Sequence, residues 1–223
     1  MNTRKLTIAI DGPAGSGKST VTRKVAEQIN YLYLNSGSMH RAVTLLASQR
    51  GISPNNRTQL TDLVQKQCRI DFADNGKKTL LNGIDVSEEL RHPEIEQQVV
   101  VIAKIPEVRQ EMVKQQRRIA KNSGVIAEGR DVTTVVFPDA DLKFYITASI
   151  EERARRRFNE FQTKGVACSF EQIENEIRIR DQQDKSRQHS PLKKAEDAII
   201  IDTTQLEINQ VIDLILKKIK EHQ

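Results

Sequence analysis

Residues 6–20 constrain what this chain can fold into more than any other stretch. Four of the five residues in Leu6-Thr7-Ile8-Ala9-Ile10 are apolar, with β-branched Ile8 and Ile10, as a buried parallel strand wants. After Asp11, Gly12-Pro13-Ala14-Gly15-Ser16-Gly17-Lys18-Ser19 follows the spacing Gly-x-x-x-x-Gly-Lys-Ser. Residues 20–30 then have helix composition, with Val21 and Val25 on one face. Strand, glycine-rich turn and helix in this order make a cradle for phosphate. Glycines let backbone N–H groups converge, and the helix N-terminus they lead into favours an anion. The residues expected to line a nucleoside triphosphate are Gly12, Pro13, Ala14, Gly15, Ser16, Gly17, Lys18, Ser19 and Thr20. Lys18 would bridge the β- and γ-phosphates, and the Ser19 hydroxyl would ligate Mg²⁺. Glycine-rich strand–helix turns also occur without nucleotide, but the full match in this setting favours the nucleotide.

At 223 residues the chain is long enough for one domain with an elaboration and a real core. No run approaches the roughly 20 apolar residues of a membrane span, and the N-terminus lacks a signal-peptide apolar core. A cytoplasmic protein that does not engage membrane is expected. Cys68 and Cys168 have no metal-ligand spacing around them, so both are expected as free thiols. The net charge of +5 asks for an anionic partner, either nucleic acid or a small substrate bearing several phosphates. Basic residues gather at 109–121, 153–157 and 178–194, interleaved with acids. Aromatic residues, 4% of the chain, do not interleave with them as base stacking would require. The small phosphorylated substrate is the better fit.

Further along, Tyr31-Leu32-Tyr33-Leu34 reads as a second buried strand ending at Asn35-Ser36-Gly37, followed by a helix over 38–49. A turn cluster at 51–56 precedes a helix over 57–67. The texture then changes. Short alternating runs around 69–72, 79–81 and 84–86, separated by Asp74-Asn75-Gly76 and the hairpin signal Asn82-Gly83, predict a small antiparallel insert. Helix is expected at 87–90 and 93–101, and again from Pro106 with Val108, Met112, Val113 and Ile119 on its apolar stripe. Core strands are expected at 125–127, 142–146 and 198–202. Ser149 to Glu152 and Ser169 to Gln172 read as capping boxes, and Ile208, Val211, Ile212, Ile215 and Ile219 stripe a closing helix. Strands separated by helices predict an α/β fold with a parallel sheet covered on both faces.

Ligands of such sheets sit beyond the carboxyl ends of the strands. Those ends carry the phosphate loop, Asn35-Ser36-Gly37, Glu128-Gly129-Arg130-Asp131 and Asp202-Thr203-Thr204. Asp202 alone reads as a turn or capping residue. Ser36 and Arg41 suit a second phosphate, hydroxyl and bidentate guanidinium together, although Arg41 fits a solvated helix face equally well. Arg180, Asp184 and Arg187 fall within about 60° on a helix, either as plain helix support or as a clamp for phosphate and ribose. Arg153, Arg156 and Arg157 share a face beside residues 162–169, which contain Gly165. That arrangement suits a lid lowered over the triphosphate, with an ordinary solvated basic face as the alternative. Asp11 and Glu128 are candidate carboxylates for a water-mediated Mg²⁺ shell. His40 and His189 read as pocket or surface residues, because an acceptor phosphate needs no general base.

With these residues assembled, the chain resembles the bacterial cytidylate kinases of the nucleoside monophosphate kinase superfamily. The resemblance is carried by residues 10–20, Asn35-Ser36-Gly37-Ser38-Met39-His40-Arg41-Ala42, Gly129-Arg130-Asp131, Thr134-Val135-Val136-Phe137-Pro138-Asp139-Ala140, Glu151-Glu152-Arg153-Ala154, and Arg180-Asp181 through Ser190-Pro191-Leu192. It implies the P-loop nucleoside triphosphate hydrolase fold: a five-stranded parallel sheet with helices on both faces, a small antiparallel β insert in the NMP-binding region and a short lid. A single domain over 1–223 is expected, with core at 1–56, 104–150 and 189–223, insert at 57–103, lid at 153–168 and a long helix at 169–188. The implied reaction is transfer of the ATP γ-phosphate to CMP or dCMP with Mg²⁺, in a monomer that engages neither nucleic acid nor membrane. By resemblance Ser36, Arg41 and Arg130 hold the acceptor phosphate, with His40 in the same pocket. Arg109 and Asp131 face cytosine, and Arg180 and Asp184 reach the sugar. Lys18, Arg130, Arg156, Arg157 and Arg187 surround the migrating phosphate. Four positions depart from the family pattern: Asn35 for Asp, His40 for Tyr, Val100 where serine is frequent, and Glu128 for Asp. A uridylate or other small-molecule kinase, a nucleotide-dependent switch and a nucleic-acid binder are the rival readings.

Overall fold

The computed structural model describes residues 5–121, 124–163 and 165–222. In chain order its elements are β1 (Thr7–Asp11), α1 (Lys18–Gln28), β2 (Leu32–Asn35), α2 (Ser36–Gln49), α3 (Arg57–Lys66), β3 (Ile70–Ala73), β4 (Lys78–Leu81) and β5 (Ile84–Asp85). They continue with α4 (Pro93–Ile102), α5 (Pro106–Ala120), β6 (Val125–Gly129), β7 (Leu142–Thr147), α6 (Ile150–Thr163), α7 (Phe170–Lys185), β8 (Ile199–Asp202) and α8 (Ile208–His222). A five-stranded parallel sheet has the order β2-β6-β1-β7-β8, and β3-β4-β5 form a separate antiparallel sheet. The chain divides into two compact units, residues 1–25 with 128–223, and residues 26–127.

In the first unit β1 pairs in parallel with β7, from Ile8 opposite Leu142 to Asp11 opposite Tyr145. β7 continues in parallel to β8. Ile8, Ala9 and Ile10 are fully buried, which is why the β1 sequence carries no polar alternation. Asp11 ends that strand and is itself buried. Its carboxylate accepts from the Val132 N–H (3.0 Å), the Thr133 N–H (2.7 Å) and the Thr133 hydroxyl (2.6 Å). Those donors open a π-helical turn at Val132–Val136, which local sequence patterning did not indicate. Helices α6 and α7 build their own apolar cluster around Ala154, Ile173 and Ile177, with Phe158 and Phe170 edge to face at 6.2 Å. Ser169 and Gln172 form the expected reciprocal cap of α7. The α8 stripe buries Val211, Ile212, Ile215 and Ile219, whereas Ile208, expected with them, stays exposed in the first turn. The segment expected as a lid includes Lys164, which lies outside the described residues, as do residues 1–4, 122–123 and 223 of the expected core.

The second unit holds α2 to α5 and the small sheet. Asn82 and Gly83 both have positive φ (52° and 87°), the geometry a two-residue hairpin of this type demands. Gly76 has no substitute: φ is 93°, and a Cβ there would lie 1.9 Å from the Tyr33 carbonyl oxygen. The apolar stripe expected on α5 is only partly realised. Val108 and Met112 are buried, but Val113 and Ile119 are half-exposed and Gln115 and Gln116 take the inward positions. An amide fits there because Gln115 completes the edge of β3, accepting from the Ile70 N–H (2.9 Å) and donating to the Cys68 carbonyl (2.8 Å). Residues 87–90, expected as helix, give only a 3₁₀ turn at Glu89–Arg91. Among the described residues no helix is long and apolar enough to cross a membrane.

The three hydrogen bonds at Asp11 all need an acceptor, so Asp11→Asn would turn an amide N–H toward a buried donor. The variant is expected to lose about 2 kcal/mol of stability, read as a lower urea midpoint at unchanged slope.

Candidate active site

The phosphate loop joins β1 to α1 through three residues with positive φ. Gly12 (φ 155°) passes so close to β7 that a Cβ would lie 1.9 Å from the Ile146 carbonyl oxygen. Gly15 (φ 74°) rests on α6 at Arg153, and Gly17 (φ 84°) completes the turn. Helix α1 starts at Lys18, earlier than its composition indicated, so Lys18, Ser19 and Thr20 form its first turn. The Lys18 ammonium is buried and folds back on its own loop, donating to the Pro13 carbonyl (2.7 Å) and reaching the Ser16 hydroxyl (3.3 Å). Burial and the neighbouring Arg130 charge push its pKa down to about 7, against support from Glu128 and Asp11. Ser19 is exposed on the same turn.

Around this lysine the first unit gathers several of the residues expected to handle phosphate. Arg130 donates from Nε to Asp184 (2.8 Å), and Arg187 pairs with the other oxygen of the same carboxylate. Burial alone would raise the Asp184 pKa, but Arg130 and Arg187 outweigh it and hold the carboxyl below its ordinary value. Arg180 is exposed yet acts electrostatically on both Lys18 and Asp184. Helical spacing was expected to align Arg187 with Arg180 and Asp184, but α7 stops at Lys185. Arg187 reaches Asp184 from beyond the helix end, where Leu192 N–H returns to the Asp184 carbonyl (2.8 Å). Asp131 is buried just before the π-helical turn.

The three arginines expected to act together on α6 separate. Arg153 turns inward and pairs with Asp181. Arg156 is held by Glu152 (2.8 Å) and by the Thr203 hydroxyl (3.0 Å) and carbonyl (2.6 Å), with a Gly17 Cβ position 3.6 Å from its Nη1. Arg157 lies over the Phe161 ring at 4.4 Å and bonds Glu160 (3.2 Å). Thr203 is a contributor the sequence reading passed over. The only local signal was its place after a strand end. Asp202 beside it is the expected turn residue, accepting from Thr204. Asp11, expected in a water-mediated metal shell, is buried with its oxygens accepting from Val132 and Thr133. His189 is a surface residue.

In the second unit, Ser36 to Arg41 form the first turns of α2. Asn35 is its N-cap, accepting from Ser38 N–H (2.9 Å) while its amide donates to the Tyr33 hydroxyl (2.9 Å). His40 is buried, and its Nδ1 donates to the Ser36 carbonyl (2.9 Å), which fixes the tautomer. The Arg41 guanidinium lies over Gly37, with Nη1 3.5 Å from where a Cβ would be. A cation at the positive end of a helix dipole marks a place suited to an anion. Arg109 is buried on α5 and donates to the Ala103 carbonyl (3.0 Å), and Val100 is half-buried on α4.

The family model described as Cytidylate kinase matches residues 8–221. A cytidylate kinase of Caldanaerobacter subterraneus subsp. tengcongensis is 45% identical over 215 residues, 96% of this chain and 95% of that protein. One from Bacillus subtilis is 43% identical over 219 residues, 98% of each chain. Among solved structures, an uncharacterized protein from Eubacterium ventriosum shares the fold with a TM-score of 0.52 at 14% identity, covering 96% of this chain and 98% of its own. A family match along residues 8–221, with relatives 43–45% identical over nearly the whole length, places this chain in the cytidylate kinase family.

Proposed function

We propose that the chain transfers the γ-phosphate of ATP to CMP or dCMP, yielding CDP or dCDP and ADP. The observation that carries this reading is a phosphate loop whose lysine is buried within range of Arg130 and Arg180, beside the Arg130–Asp184–Arg187 cluster, in a cytidylate kinase family chain. Crowded cations favour a ligand that brings several negative charges.

An oxygen of the acceptor phosphate attacks the γ-phosphorus as the bond to the β–γ bridging oxygen breaks. No protein nucleophile is needed, so catalysis is positioning and charge stabilisation. In residues 1–25 and 128–223 the loop from Gly12 to Thr20 holds the triphosphate. Lys18, Arg130, Arg156, Arg157 and Arg187 stabilise the migrating phosphoryl group. Arg130 also grips the acceptor phosphate, Asp131 accepts from the cytosine amine, and Arg180 with Asp184 meets the sugar. In residues 26–127, Ser36, His40 and Arg41 form the acceptor-phosphate end of α2, and Arg109 donates to the base. Residues 57–103 serve the acceptor, and 153–168 act as the lid. Uracil offers a carbonyl where cytosine offers an amine, so UMP would set that oxygen against the Asp131 carboxylate. Mg²⁺ fits the exposed Ser19 hydroxyl at the start of α1, a hard oxygen donor of the kind that completes a phosphate-bound shell. When bound, the ion neutralises charge on the β- and γ-oxygens. The enzyme is assigned to the cytoplasm, where the free thiols of Cys68 and Cys168 persist.

Coupled turnover with CMP, dCMP, UMP and AMP tests the acceptor directly. CMP and dCMP are expected to lead by about tenfold or more in kcat/KM, and a lead by UMP or AMP would overturn the assignment. Lys18→Ala should lower kcat by about 100-fold or more with an unchanged circular dichroism spectrum. Lys18 titrates near pH 7 without nucleotide, and a bound polyphosphate raises that pKa, so ATP binding should take up protons above pH 7. Calorimetry at pH 8 in buffers of different ionisation enthalpy measures this uptake, and Lys18→Met should abolish its lysine part.

A further inference from the structure

Arg153 shares a helical face with Arg156 and Arg157 in sequence, yet its side chain is 4% exposed. Its guanidinium is spread over three acceptors. Nη2 donates to Asp181 Oδ2 on α7 (2.7 Å), Nε to the Ala148 carbonyl at the foot of α6 (3.0 Å), and Nη1 to the Ala14 carbonyl in the phosphate loop (3.1 Å). The helix backbone touches the same loop independently: a Cβ on Gly15 would lie 3.1 Å from the Arg153 Cβ and 3.2 Å from its carbonyl oxygen. One residue therefore contacts both sides of the Ala14–Gly15 peptide.

We infer that Arg153, with Asp181 as its counter-ion, is a positioning residue for phosphoryl transfer that sets the direction of the Gly15 N–H. The Ala14–Gly15 peptide is trans, and in a trans peptide the carbonyl and the following N–H point opposite ways. Tying the Ala14 oxygen to Arg153 turns the Gly15 N–H away from α6 and keeps it there before any ligand arrives. Donors fixed in advance stabilise charge without reorganising, which is where much electrostatic catalysis originates. Helix cohesion does not account for the pair. Ala154, Ile173 and Ile177, with Phe158, Phe161 and Phe170, already join α6 to α7 through apolar contact. Buried ion pairs are commonly replaceable by apolar residues without loss of stability. Asp181 also keeps a buried Oδ1 with no hydrogen-bond partner among the described residues, a cost that packing alone would not retain. What an apolar pair cannot replace is the bond to Ala14.

The inference rests on the proposed transfer reaction, but binding of ATP alone reads it without an acceptor. The full chain is compared as R153K, D181N and the apolar pair R153M/D181L, by calorimetric titration with ATP, thermal midpoint and steady-state kinetics. R153K, whose single ammonium cannot span the three acceptors, and R153M/D181L should melt within a few degrees of the parent. Both should bind ATP about tenfold or more weakly and lose a similar factor in kcat, with the acceptor KM within about twofold. D181N still accepts from Arg153 and should stay near the parent in ATP affinity. A folded R153K or R153M/D181L that binds ATP and turns over like the parent overturns the inference. Should the double variant fail to fold, R153K decides alone. If the parent shows no CMP turnover, the acceptor reading falls while the ATP titration still decides on Arg153.

Discussion

Like charges held close to one another in a partly dry setting govern the phosphate-binding half of this protein. Lys18 lies buried within range of Arg130 and Arg180, with Glu128 and Asp11 offsetting them in part, while Asp184 is shared between Arg130 and Arg187. The protein manages this imbalance in two ways. Lys18 binds its proton weakly and leans on the Pro13 carbonyl, and the Asp184 carboxylate is kept ionised by its two arginines. A polyanion adds negative charge beside both arrangements. The cluster is thus costly alone and stabilised by its ligand, as expected where binding energy is directed to charge that shifts during reaction.

Holding that cluster in place falls to residues that never need to meet substrate. Asp11 ties the end of β1 to Val132 and Thr133, so the segment after Asp131 starts from a fixed point. Gly12 lets the loop pass against the β7 backbone. Thr203, anchored to the Thr147 carbonyl through its own N–H (2.8 Å), gives Arg156 two acceptors at the end of β8. In the other unit, Gln115 and Gly76 do comparable service by closing the edge of β3 and by allowing close approach to Tyr33.

Much of this was legible from local pattern. The Gly-x-x-x-x-Gly-Lys-Ser spacing, the Asn82-Gly83 turn and the Ser169–Gln172 cap each have a short-range cause, and each appears where its residues place it. The inward turn of Arg153 was not legible, because a helical wheel names a face without saying what lies opposite it. The donors to Asp11 were not legible either, because Val132 and Thr133 lie 121 and 122 residues away. The buried Gln115 broke an expected apolar stripe for the same reason, since the strand edge it satisfies belongs to a distant segment.

An amine that titrates near neutrality is also a nucleophile, and this carries a chemical corollary for Lys18. An ordinary exposed lysine, with a pKa of about 10.4, is almost wholly ammonium at pH 7. The loop lysine carries far more free base there, so an amine-seeking electrophile small enough to enter would modify it ahead of surface lysines. Occupancy by a triphosphate would reprotonate the amine and quench that reactivity, making covalent labelling a gauge of whether the loop is filled.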